Sequence, residues 1–164
     1  MLTDDPIYHA CIAEALKSPC QKKGVGAAFV GPQGHIIAQE HNLPIEGMEG
    51  MCQPTCIRFQ IQSRTESMLG ACGHAEERLI AKVVKMGYQP FFADFSIYVA
   101  AVTADKAPEQ RPFPEFTCLR CAVQMHLYEI ASVHVAYLGQ SWVKQTTAQA
   151  LASAQEYARG EKKV

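Results

Sequence analysis

"ACGHAEERLIAKVV" occupies residues 71–84 and "FTCLRC" residues 116–121. These two stretches decide how the chain is read. In the first, Ala75, Leu79, Ile80, Val83 and Val84 recur at helical spacing, and Gly87 follows as a C-cap. The helix therefore opens near His74. In the second, Cys118 and Cys121 stand where another helix is expected to start and run to about Glu129.

Working outward, "FSIYVAAV" (95–102) and "ASVHVAYLG" (131–139) are apolar runs without clean alternation. Such runs suit strands buried on both faces. "VGAAFVGPQGHIIAQEHN" (25–42) reads as a hairpin turning at Gly31-Pro32-Gln33-Gly34. "DDPIYHACIAEALKS" (4–18) is a helix, with Asp4 or Asp5 as N-cap and Pro6 at the first position. "SWVKQTTAQALASAQEYARG" (141–160) reads as a C-terminal helix over about 141–159, capped by Ser141. Residues 43–72 form a cysteine-containing insertion with Pro and Gly, and a short helix is expected somewhere in 56–69. "TADKAPEQRPFPEF" (103–116) is a long loop with three prolines. The order is helix, hairpin, helix, strand, helix, strand, helix. It implies a three-layer α-β-α arrangement around a mixed sheet, an N-terminal antiparallel hairpin followed by parallel strands. No repeat or second domain is visible, so residues 1–164 are read as one domain.

Composition narrows the classes. The chain has 48% hydrophobic and 19% charged residues and a net charge of −1. That offers no surface for a polyanion, and no Arg- or Lys-rich stripe with interleaved aromatics appears, so neither duplex binding nor nucleic-acid editing is expected. "MLTDDPIYHA" has no apolar signal region, and no run approaches the roughly 18 apolar residues of a membrane span. A reducing, cytoplasmic setting follows, in which the seven cysteines are core fillers, metal ligands or reactive thiols rather than disulfides. Cys11 and Cys20 read as core or near-surface residues.

His74, Cys118 and Cys121 all fall at helix starts. In an open α/β sheet, helix N-termini gather at the carboxyl ends of parallel strands, where ligands bind. One imidazole and two thiolates leave a tetrahedral zinc ion one open position, the mark of a catalytic site. Glu76 lies two residues beyond His74, placed to shuttle protons without being a ligand. Taken singly, His74 also fits a hydrogen-bonded core histidine, and Cys118 with Cys121 a redox pair. A closed structural zinc site would need a fourth protein ligand and leave Glu76 without a role.

His74-Ala75-Glu76 followed by Cys118-Leu119-Arg120-Cys121 is the H-x-E and C-x-x-C signature of zinc nucleobase deaminases. The chain thus resembles the cytidine and deoxycytidylate deaminase superfamily, from about Asp4 to Leu138. The resemblance implies a zinc-dependent hydrolase that releases ammonia from a cytosine-type nucleoside, nucleotide or related small heteroaromatic. A guanine-type aminopurine is the alternative substrate. A catalytically silent deaminase-fold subunit is the alternative of another class, which an intact Glu76 opposes. By resemblance, His74, Cys118 and Cys121 hold zinc, Glu76 is catalytic, Asn42 contacts sugar or base, and the backbone N–H of Ala75 donates to a base carbonyl. The family is typically oligomeric, so a homo-oligomer is expected.

The chain departs from the family pattern in three places. Thr117 stands where the family usually has proline. The link to the C-x-x-C helix is stretched over 103–117, from which Arg111, Phe113, Glu115 and Phe116 could close over substrate. After Gly160 only "EKKV" remains, too short for the fifth parallel strand of some branches. In the insertion, Cys52, Cys56 and Cys72 are candidates for a second, structural zinc, as in some deoxycytidylate deaminases, with His41 or His35 as a fourth ligand. Arg58 and Arg64 are candidates for a substrate phosphate or carboxylate.

Overall fold

The computed structural model describes residues 2–60, 71–109, 117–137 and 141–159. Helix α1 (Pro6–Lys17) starts where its cap dictates: Asp5 Oδ1 accepts from the N–H of Ile7 at 2.7 Å and of Tyr8 at 3.3 Å. Strands β1 (Gly24–Val30) and β2 (Ile36–His41) pair antiparallel, with Phe29 opposite Ala38. Gly34 sits in the turn at φ 81°, a conformation that costs a residue without Cβ little.

In the insertion, β3 (Leu43–Pro44) and β4 (Cys72–Gly73) form a two-residue ribbon. Of the short helix expected in 56–69, a 3-10 turn at Ile57–Phe59 is present, and 61–70 lie outside the described residues. Helix α2 (Ala75–Lys85) ends at Gly87, φ 83°, as its sequence requires. Strand β5 (Ser96–Val102), helix α3 (Leu119–Leu127) and strand β6 (Ser132–Tyr137) complete the β-α-β unit. β5 and β6 are parallel, with Ile97 beside Val133.

The C-terminal segment differs from the expectation. Ser141–Thr146 is a strand, β7, antiparallel to β6, and helix α4 is only Thr147–Ala158. The N-cap is Thr146, not Ser141: its Oγ1 accepts from Gln149 N at 3.2 Å while Gln149 Oε1 accepts from Thr146 N at 2.9 Å. Val135 pairs with Val143 and Ala136 with Trp142, so β6 gains a partner that a helix could not supply.

The main sheet runs β2-β1-β5-β6-β7. β1 is antiparallel to both its neighbours, so among the described strands the parallel pairing holds for β5 and β6 alone. Alternation along the strands feeds two cores. Phe29, Ile97, Val99 and Val133 join Leu79, Val83, Met125 and Ala150 of the helices on one face. Ala28, Val30 and Ala100 join Tyr8 and Cys11 of α1 on the other. α1 approaches β1 so closely that a Cβ on Gly26 would lie 1.9 Å from the Cys11 carbonyl oxygen. Phe29 stacks on Phe95 with centroids 4.8 Å apart; truncating such a buried ring costs about 3–5 kcal/mol. No described helix is long and apolar enough to cross a membrane.

Candidate metal centre

The β5-α3-β6 crossover and the β4-α2 junction bring two helix starts together. His74 is the N-cap of α2 and Cys118 the N-cap of α3, both in extended backbone. Cys118 Sγ lies 3.2 Å from His74 Nδ1 and 3.5 Å from Cys121 Sγ. Cys121 Sγ lies 3.3 Å from the same Nδ1. Ligands at tetrahedral angles around zinc are separated by about 3.5–3.8 Å, given Zn–S near 2.3 Å and Zn–N near 2.0 Å. The triangle is a few tenths of an ångström tighter, and its donor set of two sulfurs and one nitrogen suits zinc.

The electrostatics follow from the geometry. The hydrogen bond between Cys118 and Cys121, with the His74 imidazole beside it, holds the Cys118 thiol down at about 3. Burial keeps Cys121 well above the usual thiol range. For His74, burial acts to lower the pKa, but Cys118 and Glu76 outweigh it and the net direction is up.

Two carboxylates flank the cluster, with different tasks. Glu77 Oε2 accepts from the His74 N–H at 2.9 Å, and its Oε1 receives the Arg120 guanidinium. It therefore clasps the H-x-E segment to the C-x-x-C segment. Glu76 is 6% exposed, and its Oε1 accepts from the Thr117 hydroxyl at 2.9 Å. Burial raises its pKa above the ordinary carboxylate range.

The remaining candidates are placed as follows. Asn42 directly follows β2 and is 2% exposed. Its Oδ1 accepts from Val25 N at 2.7 Å and its Nδ2 donates to Lys23 O at 3.1 Å. Its amide thus ties the end of β2 to the start of β1, with one Nδ2 proton and one Oδ1 lone pair unpartnered among the described residues. Ala75 is the buried first residue of α2, whose N–H has no acceptor within its own helix. Phe116, with Arg64, Arg111, Phe113 and Glu115, lies outside the described residues. Arg58 is close enough to act electrostatically on His74. Cys52 approaches Cys72, Sγ to Sγ 4.0 Å, and among the described residues the group able to hold a metal ion is His74, Cys118 and Cys121. His41 bonds Glu14 instead, Nδ1 to Oε2 3.0 Å, and His35 is exposed beside the β1–β2 turn, so neither is seen as a fourth ligand there.

Sequence reading missed the work of Thr117, of the Glu77–Arg120 clasp, and of Cys20, which proves a neighbour of Cys56 and Cys72. A hydroxyl replacing proline beside a ligand was the one available signal; the others depend on contacts between residues far apart in sequence.

The model of the "Cytidine and deoxycytidylate deaminase zinc-binding region" matches residues 1–137. Among curated proteins none matches. The fold is similar to the 1.6 Å crystal structure of cytidine deaminase from Burkholderia pseudomallei, with TM-score 0.57 and 17% identity, covering 90% of this chain and 94% of that one. At that identity the likeness concerns the fold.

Proposed function

The chain belongs to the cytidine and deoxycytidylate deaminase family, and from that premise we propose that it is a zinc-dependent hydrolase releasing ammonia from a cytosine-type nucleoside or nucleotide. His74, Cys118 and Cys121 would hold the ion. When bound, zinc supplies the Lewis acidity that makes a water nucleophilic near neutral pH.

The observation that carries the reading is the buried Glu76 carboxylate beside the three ligands, one oxygen held by the Thr117 hydroxyl. Glu76 accepts the first proton of the attacking water and passes it to the ring nitrogen. It then carries the second proton to the exocyclic amine, which departs as ammonia and leaves a carbonyl on the ring. Its raised pKa brings it nearer the operating pH, which favours both halves of the shuttle. The Ala75 N–H is available to a base carbonyl. Arg58 supports a substrate with a phosphate, and the spare valences of Asn42 support a sugar contact. The proposal includes a loop carrying Phe116 over the substrate, and a homo-oligomer working on a small molecule in the cytoplasm.

The test is Glu76→Gln, assayed for ammonia against cytosine, guanine and adenine compounds as base, nucleoside and nucleotide. Turnover on a cytosine compound should fall at least ~10²–10⁴-fold with zinc retained. Guanine turnover in the wild type would move the substrate to the aminopurines. Ammonia from no compound would make the chain a silent subunit, and loss of zinc in the mutant would make Glu76 a ligand.

A further inference from the structure

Two consecutive carboxylates lie in the first turn of α2, and each reaches across to the start of α3. Glu76 accepts from the Thr117 hydroxyl, and Glu77 receives the Arg120 guanidinium. Thr117 directly precedes Cys118 and Arg120 directly precedes Cys121, so the two ties fall beside the two thiols. Glu76 and Thr117 belong to the reaction proposed above. Glu77 and Arg120 have no part in it, although Glu77 is 9% exposed and its other oxygen accepts from the His74 N–H at 2.9 Å.

The three ligands are not equally held. Cys121 is fully buried, stands within α3 and belongs to the helix-side core. His74 and Cys118 are only half-buried, and as N-caps they stand in extended backbone outside the helices they open. Nothing within either helix fixes how far His74 stands from Cys118, 44 residues along the chain. Glu77 supplies that join: one oxygen engages the backbone of the ligand His74, the other the side chain next to the ligand Cys121. A carboxylate buried alone is costly, and a guanidinium is a well-matched partner for it, so the pair is stable only with both members present. Neutral as a pair, it stiffens the site without adding net charge beside the thiols.

We propose that Glu77 and Arg120 are positioning residues for the metal centre: the pair sets the separation of the His74 segment from the Cys118–Cys121 segment, and thereby how tightly the site retains zinc. The inference rests on the zinc assignment of the proposed function and not on its deamination step. A site held at its bound spacing loses less freedom when the ion enters. Residues that orient metal ligands from behind in this way contribute ~10–100-fold in metal affinity. Glu77 is itself no ligand, since both its oxygens are engaged away from the cluster.

Zinc affinity, measured by competition with a chromophoric chelator, tests this on Glu77→Gln, Arg120→Met, the double variant and Arg120→Lys. Glutamine at this third helical position can still accept from the His74 N–H, so Glu77→Gln keeps the start of α2 and loses the tie to Arg120. Each of Glu77→Gln and Arg120→Met should bind zinc ~10–100-fold more weakly than the wild type. The double variant should be no worse than the weaker single, because either change opens the same clasp. Arg120→Lys, which keeps a cation facing Glu77, should recover most of the affinity. Melting temperatures of the zinc-free proteins should stay close to that of the wild type. Unchanged zinc affinity with lowered melting would make the pair an ordinary tie between helices and overturn the proposal. So would losses that add in the double variant, or opposite shifts in the two singles that cancel there, the mark of a charge effect with no role in spacing. Ammonia release is followed in parallel. Zinc affinities in the expected order with no ammonia from the wild type would sink the deaminase reading and leave the pair's role standing, whereas an active wild type whose variants hold zinc equally well would do the reverse.

Discussion

Thr117 occupies the position before the first C-x-x-C cysteine, where a proline would offer no donor. Its hydroxyl instead donates to Glu76, 41 residues away. Glu76 has to stay in one rotamer while protons come and go, and a hydrogen bond to a charged acceptor contributes about 1.5–3 kcal/mol. Thr117→Val keeps the shape and removes the donor. The expected outcome is a drop in kcat of roughly 10–100-fold, the rate equivalent of that energy. Zinc content and melting temperature should stay near wild type, and Thr117→Ser should recover most of the activity. A valine variant with unchanged kcat would reduce Thr117 to a spacer. The departure at Thr117 was legible in sequence; its partner was not, because a side-chain donor names no acceptor until the chain has folded.

At the scale of elements, β7 decides what β6 becomes. Without it β6 would be an open edge, a template for unwanted pairing. With it, His134 is placed opposite Lys144, against the Tyr98 ring at 4.1 Å between centroids, with Ser132 Oγ 3.0 Å from its Nε2. Burial, reinforced by Lys144, lowers the pKa of His134 to about 4, below the ordinary histidine value of 6.5. The consequence for stability has a definite sign. Between pH 6.5 and about 4 the unfolded chain binds a proton at this histidine that the folded chain refuses. Stability contributed by neutral His134 is therefore full above pH 6.5 and lost as pH falls toward 4. Urea denaturation at pH 7.5 and pH 5, compared with His134→Gln, isolates this residue from the other titrating groups. The wild type should lose more stability than the variant on acidification; equal losses would refute the assignment.

Across the whole molecule, Trp142 ties the C-terminal strand β7 back to helix α1. Trp142 Nε1 on β7 donates to Asp5 Oδ2 at 2.6 Å, while the other oxygen of Asp5 caps α1. The indole also meets Tyr98 and Tyr8 edge-on, extending the α1-side core toward the sheet edge. Trp142→Phe keeps most of the ring and removes the donor. It should lower stability by about 1 kcal/mol, since the pair is only partly buried. Asp5→Ala should cost more, because the helix cap goes as well, at about 1 kcal/mol. In the double mutant the losses should be less than additive, and thermal denaturation of the four proteins reads the coupling. Strict additivity would mean the contact does not couple β7 to α1.

The sequence by itself determined the parts whose causes lie within a few residues. Asp5 before Pro6, Gly34 in the hairpin turn and Gly87 past α2 specify their elements through local backbone chemistry, and each is where the sequence puts it. The His74, Cys118 and Cys121 cluster was legible because residue type and spacing at two helix starts already encode the donor set. The tertiary structure decided the rest. Ser141–Thr146 became a strand because β6 offers a row of backbone partners, a gain no window around Trp142 contains. Asn42 turned its amide to the β1 backbone, and Thr117 found Glu76 41 residues away, because folding set those groups side by side. Local sequence carries short-range energetics, whereas an acceptor or a sheet edge supplied from a distant segment exists only once the chain has closed on itself.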